Sequence, residues 1–356
     1  MENKKIIKIN IFLTIIAICL GGFLLYLLMS GYKSSNTITV TFDDEDQDIV
    51  DEAKIVYLAI NEEYHLDDTN YHSDNEEIAV IDGDIVIGKS VGKTVLSNRF
   101  SSFEVEITDM IIAPQVIDNK KELPCGYYSK EDNEYLDMIL SSKIKNVGYQ
   151  TRAGVVEAAR FLTLQFPYHL TYFPANGRQN YVDKVCDGEG TYYFDGLYLN
   201  TYKEKKDGFS SNVSGPAEWG CKIYSESQKE KIGNSLDDYG FLSWCLKNGG
   251  YNFGDIGIGS DSAHGYSQFA YQNKLTKDSL SMMKVGDIFL EENHVSILIG
   301  LFDNQYYVAE SKKKKGVRVV SYTIDELLAS KKYAWIDMTN YYKNDGKLTN
   351  YWEKDN

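Results

Sequence analysis

Proline is scarce, with five in 356 residues, and the 28 glycines form no regular repeat, so neither a collagen-like nor a low-complexity chain is in question. Positive charge is the second shortage. Lys and Arg number 37 against 52 Asp and Glu, a formal net charge of −15, whereas phosphate backbones are held by clustered cations. Nucleic acid is thereby excluded as a partner. The only dense basic run, Lys312 to Lys315, reads as a solvated hairpin tip. Histidines number five, and H-E-x-x-H is missing, as is any cysteine pair at metal-ligand spacing. No cofactor or metal is expected.

What is present points to a folded, exported chain. A hydrophobic content of 43% with 13% aromatics supports real cores, and the length suits two domains with appendages. The 28 tyrosines suggest half-buried faces that touch sugars or peptides. Ile9 to Met29 carries no charge, and about 20 apolar residues are what a helix needs to cross a bilayer. Lys4, Lys5 and Lys8 precede the run and Asp43 to Asp46 follow it, which keeps the N-terminus in the cytoplasm and the body outside. A cleaved signal peptide is the rival reading. Its apolar region is only about 7–15 residues long and ends at a small-residue cleavage site, whereas Leu24 to Met29 continues past Gly21-Gly22 without one. The expectation is a single-pass cell-membrane protein with an extracellular body. Cys19 falls in the apolar run. Cys125, Cys186, Cys221 and Cys245 then lie where disulfides are permitted, in any of three pairings or all free.

Along the chain, residues 1–8 read as a cytoplasmic N-terminus, 9–29 as the transmembrane helix and 30–37 as a polar linker. β-Formers then alternate in Ile38-Thr39-Val40-Thr41-Phe42, Ile55-Val56-Tyr57-Leu58 and Phe103-Glu104-Val105-Glu106-Ile107. Between them, Ser73 to Gly92 places strands on either side of Asp82-Gly83 and Gly88, a pattern that resembles the bacterial Ig-like domains of surface proteins. That resemblance implies an all-β domain over 38–113. Residues 114–232 form a helical and loop-rich extension. Ser129 is a candidate N-cap with Asp132 three residues on, a helix follows over Tyr135–Ile144, and an apolar helix is expected over Ala153–Phe166. Pro167 to Glu230 reads as long loops with short strands.

The chemistry-bearing segments come last. Asn234 to Trp244 reads as a loop entering a helix at Asp237 or Asp238 and leaving it at Gly249. A nucleophile at that helix start gains from unpaired amides and the positive dipole end. Gly286-Asp287 then leads into one strand, His294-Val295-Ser296-Ile297-Leu298-Ile299-Gly300 forms a second, and Tyr306 to Ser311 a third with Glu310 at its end. In order and spacing these blocks resemble the NlpC-type peptidoglycan endopeptidases of the papain-like group, whose pattern is D-C-S-G-F, then G-D, then H-V-x-I-x-I-G, then a third polar residue. Asp237, Gly240, Phe241, Gly286, Asp287, His294, Val295, Ile297, Ile299 and Gly300 match it.

The resemblance implies an α+β, papain-like fold over 233–343, with 344–356 as a tail. It places Asp238 at the nucleophile position, His294 at the base position and Glu310 as third member, with Ala309 as the competing third position. Trp219, Tyr239 and Asp237 are candidate binding residues. Where the family has cysteine and serine this chain has Asp238 and Tyr239. A carboxylate is a weak nucleophile toward an amide, so the cysteine-histidine mechanism cannot run. Cys245 is no substitute, being roughly 10 Å further along the helix at about 1.5 Å per residue. Asp238, His294 and Glu310 also form a possible carboxylate-imidazole set for zinc, but no metal-binding motif supports it. His65, His72, His169 and His264 read as surface or loop residues. The expected function is a catalytically inactive peptidase-like module that binds cell-wall peptides or a surface partner. The alternatives are an active wall hydrolase with an altered site and a purely structural surface module. An open cleft lined by Trp219, Asp238 and His294 favours binding, and a filled one favours structure.

Overall fold

The computed structural model describes residues 54–174, 192–193, 202–205, 217–225, 228–251, 269, 271–349 and 351, all within the compact unit Val40–Asn356. Seven strands come first: β1 (Ile55–Ala59), β2 (Glu63–His65), β3 (His72–Ser73), β4 (Ala79–Asp82), β5 (Ile85–Gly88), β6 (Gly92–Ser97) and β7 (Ser102–Thr108). They form a four-stranded sheet in the order β1-β7-β6-β3 and a three-stranded sheet in the order β2-β5-β4. Side chains alternate across each strand, so Val56 and Leu58 of β1 point inward with Val105 and Ile107 of β7, and Val86 meets them from the second sheet. Burying each such side chain is worth about 1.5–3 kcal/mol, which holds the two sheets face to face.

Two helices follow. Helix α1 (Lys130–Val147) begins at Ser129, whose hydroxyl accepts from the Asp132 amide at 3.1 Å while the Asp132 carboxylate accepts from the Ser129 amide at 2.8 Å. Helix α2 (Arg152–Arg160) is capped by Thr151. Its expected continuation to Phe166 is not α-helical. Phe161–Gln165 is a π-helical turn closed by the Phe166 amide on the Phe161 carbonyl at 2.8 Å. Lys120 explains where it stops, because its ammonium donates to the Thr163 and Phe166 carbonyls at 2.8 Å each.

Short strands β8 (Tyr192–Tyr193), β9 (Tyr202–Lys205), β10 (Ala217–Glu218), β11 (Lys222–Ser225) and β12 (Glu230–Gly233) lead to helix α3 (Asp238–Asn248). The C-terminal part comprises β13 (Gln272–Lys274), α4 (Lys277–Leu280), β14 (Ile288–Glu291), β15 (His294–Phe302), β16 (Gln305–Lys312), β17 (Gly316–Tyr322), α5 (Ile324–Ala329) and β18 (Lys332–Ile336). Its strands form one antiparallel sheet in the order β13-β18-β14-β15-β16-β17. One face carries Phe289, Leu298, Val308 and Trp335 against Leu280 and Leu327 of the flanking helices. Helix α3 packs against β15 and β16.

The α+β class with an N-terminal membrane helix is therefore corrected. The described residues are mostly β sheet, five sheets with few helices, and among them no helix is long and apolar enough to cross a membrane. The physical reason lies in where the apolar residues sit. β-Branched and aromatic side chains recur in runs such as His294–Phe302 and Gln305–Lys312, where they pack on a pleated surface largely buried on both faces. The expected span Ile9–Met29 and the expected strand Ile38–Phe42 lie outside the described residues, as does most of Pro167 to Glu230.

Buried polar groups tie these parts together. Glu62, after β1, accepts from the Lys143 ammonium of α1 at 2.7 Å and from the Gln165 amide at 2.5 Å. Arg152 at the start of α2 donates to Asp287 at 2.7 Å, to the Val285 carbonyl at 3.1 Å, to Thr339 at 2.9 Å and to Asp345 at 3.0 Å. Arg160 at its other end reaches the Ile299 carbonyl with two nitrogens, at 2.9 and 2.7 Å. Helix α2 is thus bolted to the six-stranded sheet at both ends. Gly249 allows α3 to close on α2, since a Cβ there would stand 2.8 Å from the Val155 backbone.

Candidate functional site

The site begins with a cap. Asp237 is extended, and its carboxylate accepts from the Gly240 amide at 2.6 Å, which starts α3 at Asp238. Asp238 therefore stands at the positive end of the helix dipole, where an anion is favoured. Its Oδ2 accepts from the Val295 amide at 3.3 Å and meets His294 Nδ1 at 3.0 Å. His294 opens β15, and its other ring nitrogen, Nε2, lies 3.0 Å from Glu310 Oε2 on β16. Glu310 Oε1 in turn accepts from Arg318 on β17, from Nε at 3.0 Å and Nη2 at 2.8 Å. Antiparallel register sets this last pair, since Glu310 and Arg318 are directly opposed.

The result is a linear relay, Asp238, His294, Glu310 and Arg318, running from a helix start across three strands. Both His294 nitrogens face carboxylates, and both can be satisfied only if each carries a proton. Burial pushes the His294 pKa down, but the hydrogen bonds to Asp238 and Glu310 outweigh it and the pKa is raised. Burial pushes Glu310 up, yet the His294 hydrogen bond and the nearby Lys332 and Lys312 hold it down to about 2. Both directions describe one buried ion pair, an imidazolium between carboxylates.

A second charged group adjoins it. Glu291 of β14 pairs with Lys312 at 3.4 Å and Lys332 at 3.6 Å, and Lys332 lies near the rings of Phe289 and Tyr322. Burial lowers the Lys332 pKa, against the pull of Glu310 and Glu291.

The sequence-derived candidates divide accordingly. Asp238, His294 and Glu310 come together. Ala309 does not join them, because it opposes Ile297 and so points to the other face of the sheet. Asp237 serves the helix cap. Trp219 is 1% exposed and packs against Trp244 at 6.5 Å, while Tyr239 is 6% and His294 7% exposed. These residues are therefore buried, as is Asp238 at 3% exposure. The zinc reading fails on geometry, since Asp238 and Glu310 sit on opposite ring nitrogens and do not converge. Among the described residues no cluster of His, Cys, Asp and Glu is placed to hold a metal.

Asp287 of the G-D block is a structural acceptor. It takes Arg152, the Lys284 amide at 2.8 Å and the Met338 amide at 3.0 Å. Gly286 before it has φ +99°, and a Cβ there would meet Arg152 Cγ at 2.7 Å. Cys245 is fully buried in α3, and burial raises its thiol well above the usual range. Cys125 and Cys221 form a disulfide, while Cys186 lies outside the described residues.

Arg318, Lys332 and Glu291 were not anticipated. For Glu291 and Lys332 the signal was a charge on a buried strand, where burial demands a partner, whereas Arg318 is partly exposed and joins through its register opposite Glu310. No protein-family model and no curated protein matches this chain.

Proposed function

We propose that this chain is a non-catalytic NlpC-type peptidase-like module of the cell surface, which engages the cell wall or a surface partner without cutting. The observation that carries it is His294 held between two carboxylates. An imidazolium with both nitrogens engaged has no lone pair with which to accept a proton, and Asp238 in place of a thiol offers no competent nucleophile for an amide. The former reactive site thereby acquires a structural task, joining α3 to β15, β16 and β17. Burial of Trp219, Tyr239 and Asp238 supports engagement through another surface rather than through this cleft. The Cys125–Cys221 disulfide supports an oxidising, extracytoplasmic location.

Incubation of the purified protein with peptidoglycan sacculi tests the reading. New amino termini should appear no faster than with His294→Ala. Release of stem peptides that depends on His294 would overturn it and restore the hydrolase alternative.

A further inference from the structure

With Asp238, Tyr239 and His294 buried, contact with the wall needs a surface elsewhere, and an aromatic cluster beside the disulfide has the form of one. Tyr127 is 54% exposed, yet its ring is held in place. Its centroid lies 4.9 Å from Tyr128 at 84° and 4.9 Å from Tyr168 at 62°, both edge-to-face arrangements. Buried Phe166 supports the pair from below, 6.0 Å from Tyr128 and 6.1 Å from Tyr168. The backbone is fixed as well. Cys125 is bonded to Cys221, the Leu123 amide donates to the His169 carbonyl at 3.2 Å, and the His169 amide donates to Lys121 at 2.8 Å. A carboxylate stands at the rim, because Glu218 Oε2 would be 3.9 Å from a Cβ on Gly126, the residue before Tyr127.

The geometry points to a glycan-binding site on Tyr127 and Tyr168, taking neutral pyranose units that carry N–H or O–H donors. A flat, rigid, exposed ring accepts the C–H face of a sugar without ordering cost, and a single carboxylate at the edge accepts from a hydroxyl or acetamido group. The acidic rim and the acidic chain disfavour anionic ligands. The inference deepens the proposed wall contact by naming the glycan strand rather than the stem peptide, and it rests on that reading for its biological setting only.

Calorimetric titration of the full chain with tetra-N-acetylchitotetraose tests it. Tyr127→Ala should weaken binding by about tenfold or more, Tyr127→Trp should preserve it, and Glu218→Gln should weaken it less than loss of the ring. Tyr127 is exposed, so these variants should melt with the wild-type protein. Absence of binding to the wild type at millimolar sugar, or equal binding by Tyr127→Ala, would overturn the site and leave the non-catalytic reading standing. Conversely, His294-dependent hydrolysis of sacculi would sink that reading and leave the glycan site intact.

Discussion

Replacing Glu310 by Gln removes the carboxylate that sits between His294 and Arg318. Glu310 is fully buried, and its pKa falls from 4.5 to about 2 in the folded protein. A displacement of that size corresponds to about 3 kcal/mol of stability at neutral pH. Removing one partner from a buried ion pair gives a similar figure, about 3–5 kcal/mol. The sign of the pH dependence is set by the two shifts. Glu310 is depressed, so its contribution is present above pH 4.5 and falls as the pH drops toward about 2. His294 is raised above 6.5, so its contribution is full below pH 6.5 and is lost as the pH climbs through the higher folded value. The relay should thus be strongest between pH 4.5 and 6.5. Urea unfolding of wild type and Glu310→Gln at pH 6 should differ by about 3 kcal/mol, with about half that difference near pH 3. A difference below about 0.5 kcal/mol at pH 6, the size of an ordinary surface substitution, would refute the buried relay.

Three further outcomes are expected. An NMR titration should show His294 protonated above its ordinary range, and Asp238→Asn should lower its pKa; an unchanged value would remove the Asp238 contact. Asp238→Cys with Tyr239→Ser should place a thiol at the α3 start that reacts with iodoacetamide faster than buried Cys245, and His294→Ala should slow it; a thiol no faster than an unactivated one would show that this geometry does not activate a nucleophile. Reducing the Cys125–Cys221 disulfide, which spans 96 residues, should cost about 4.7 kcal/mol on the chain-entropy account, seen as a lower unfolding midpoint under dithiothreitol.

Local signals were legible in the residues themselves. Ser129 with Asp132 marked the start of α1, and Asp237 with Gly249 bracketed α3, because caps are short-range hydrogen-bond problems solved within a few residues. The exposed Lys313-Lys314 turn followed from its charge. His294 at the head of a strand and Asp238 at the head of a helix were likewise visible, as was the carboxylate, not a thiol, at that helix start.

Only the tertiary structure decided the rest. The balance of sheet over helix depends on which apolar runs find pairing partners far away, as Ile55–Ala59 does with Ser102–Thr108, and local propensity does not encode that choice. The disulfide was one of several open pairings until Cys125 and Cys221 were brought together across 96 residues. Glu310 prevailed over Ala309 because alternation along β16 turns one toward His294 and the other away. Arg318, Glu291 and Lys332 entered the site through strand register, which sets neighbours that no spacing along the chain reveals. The residue types determined that a carboxylate would meet a histidine. Register and packing determined that two would, and that their meeting place would be closed to solvent.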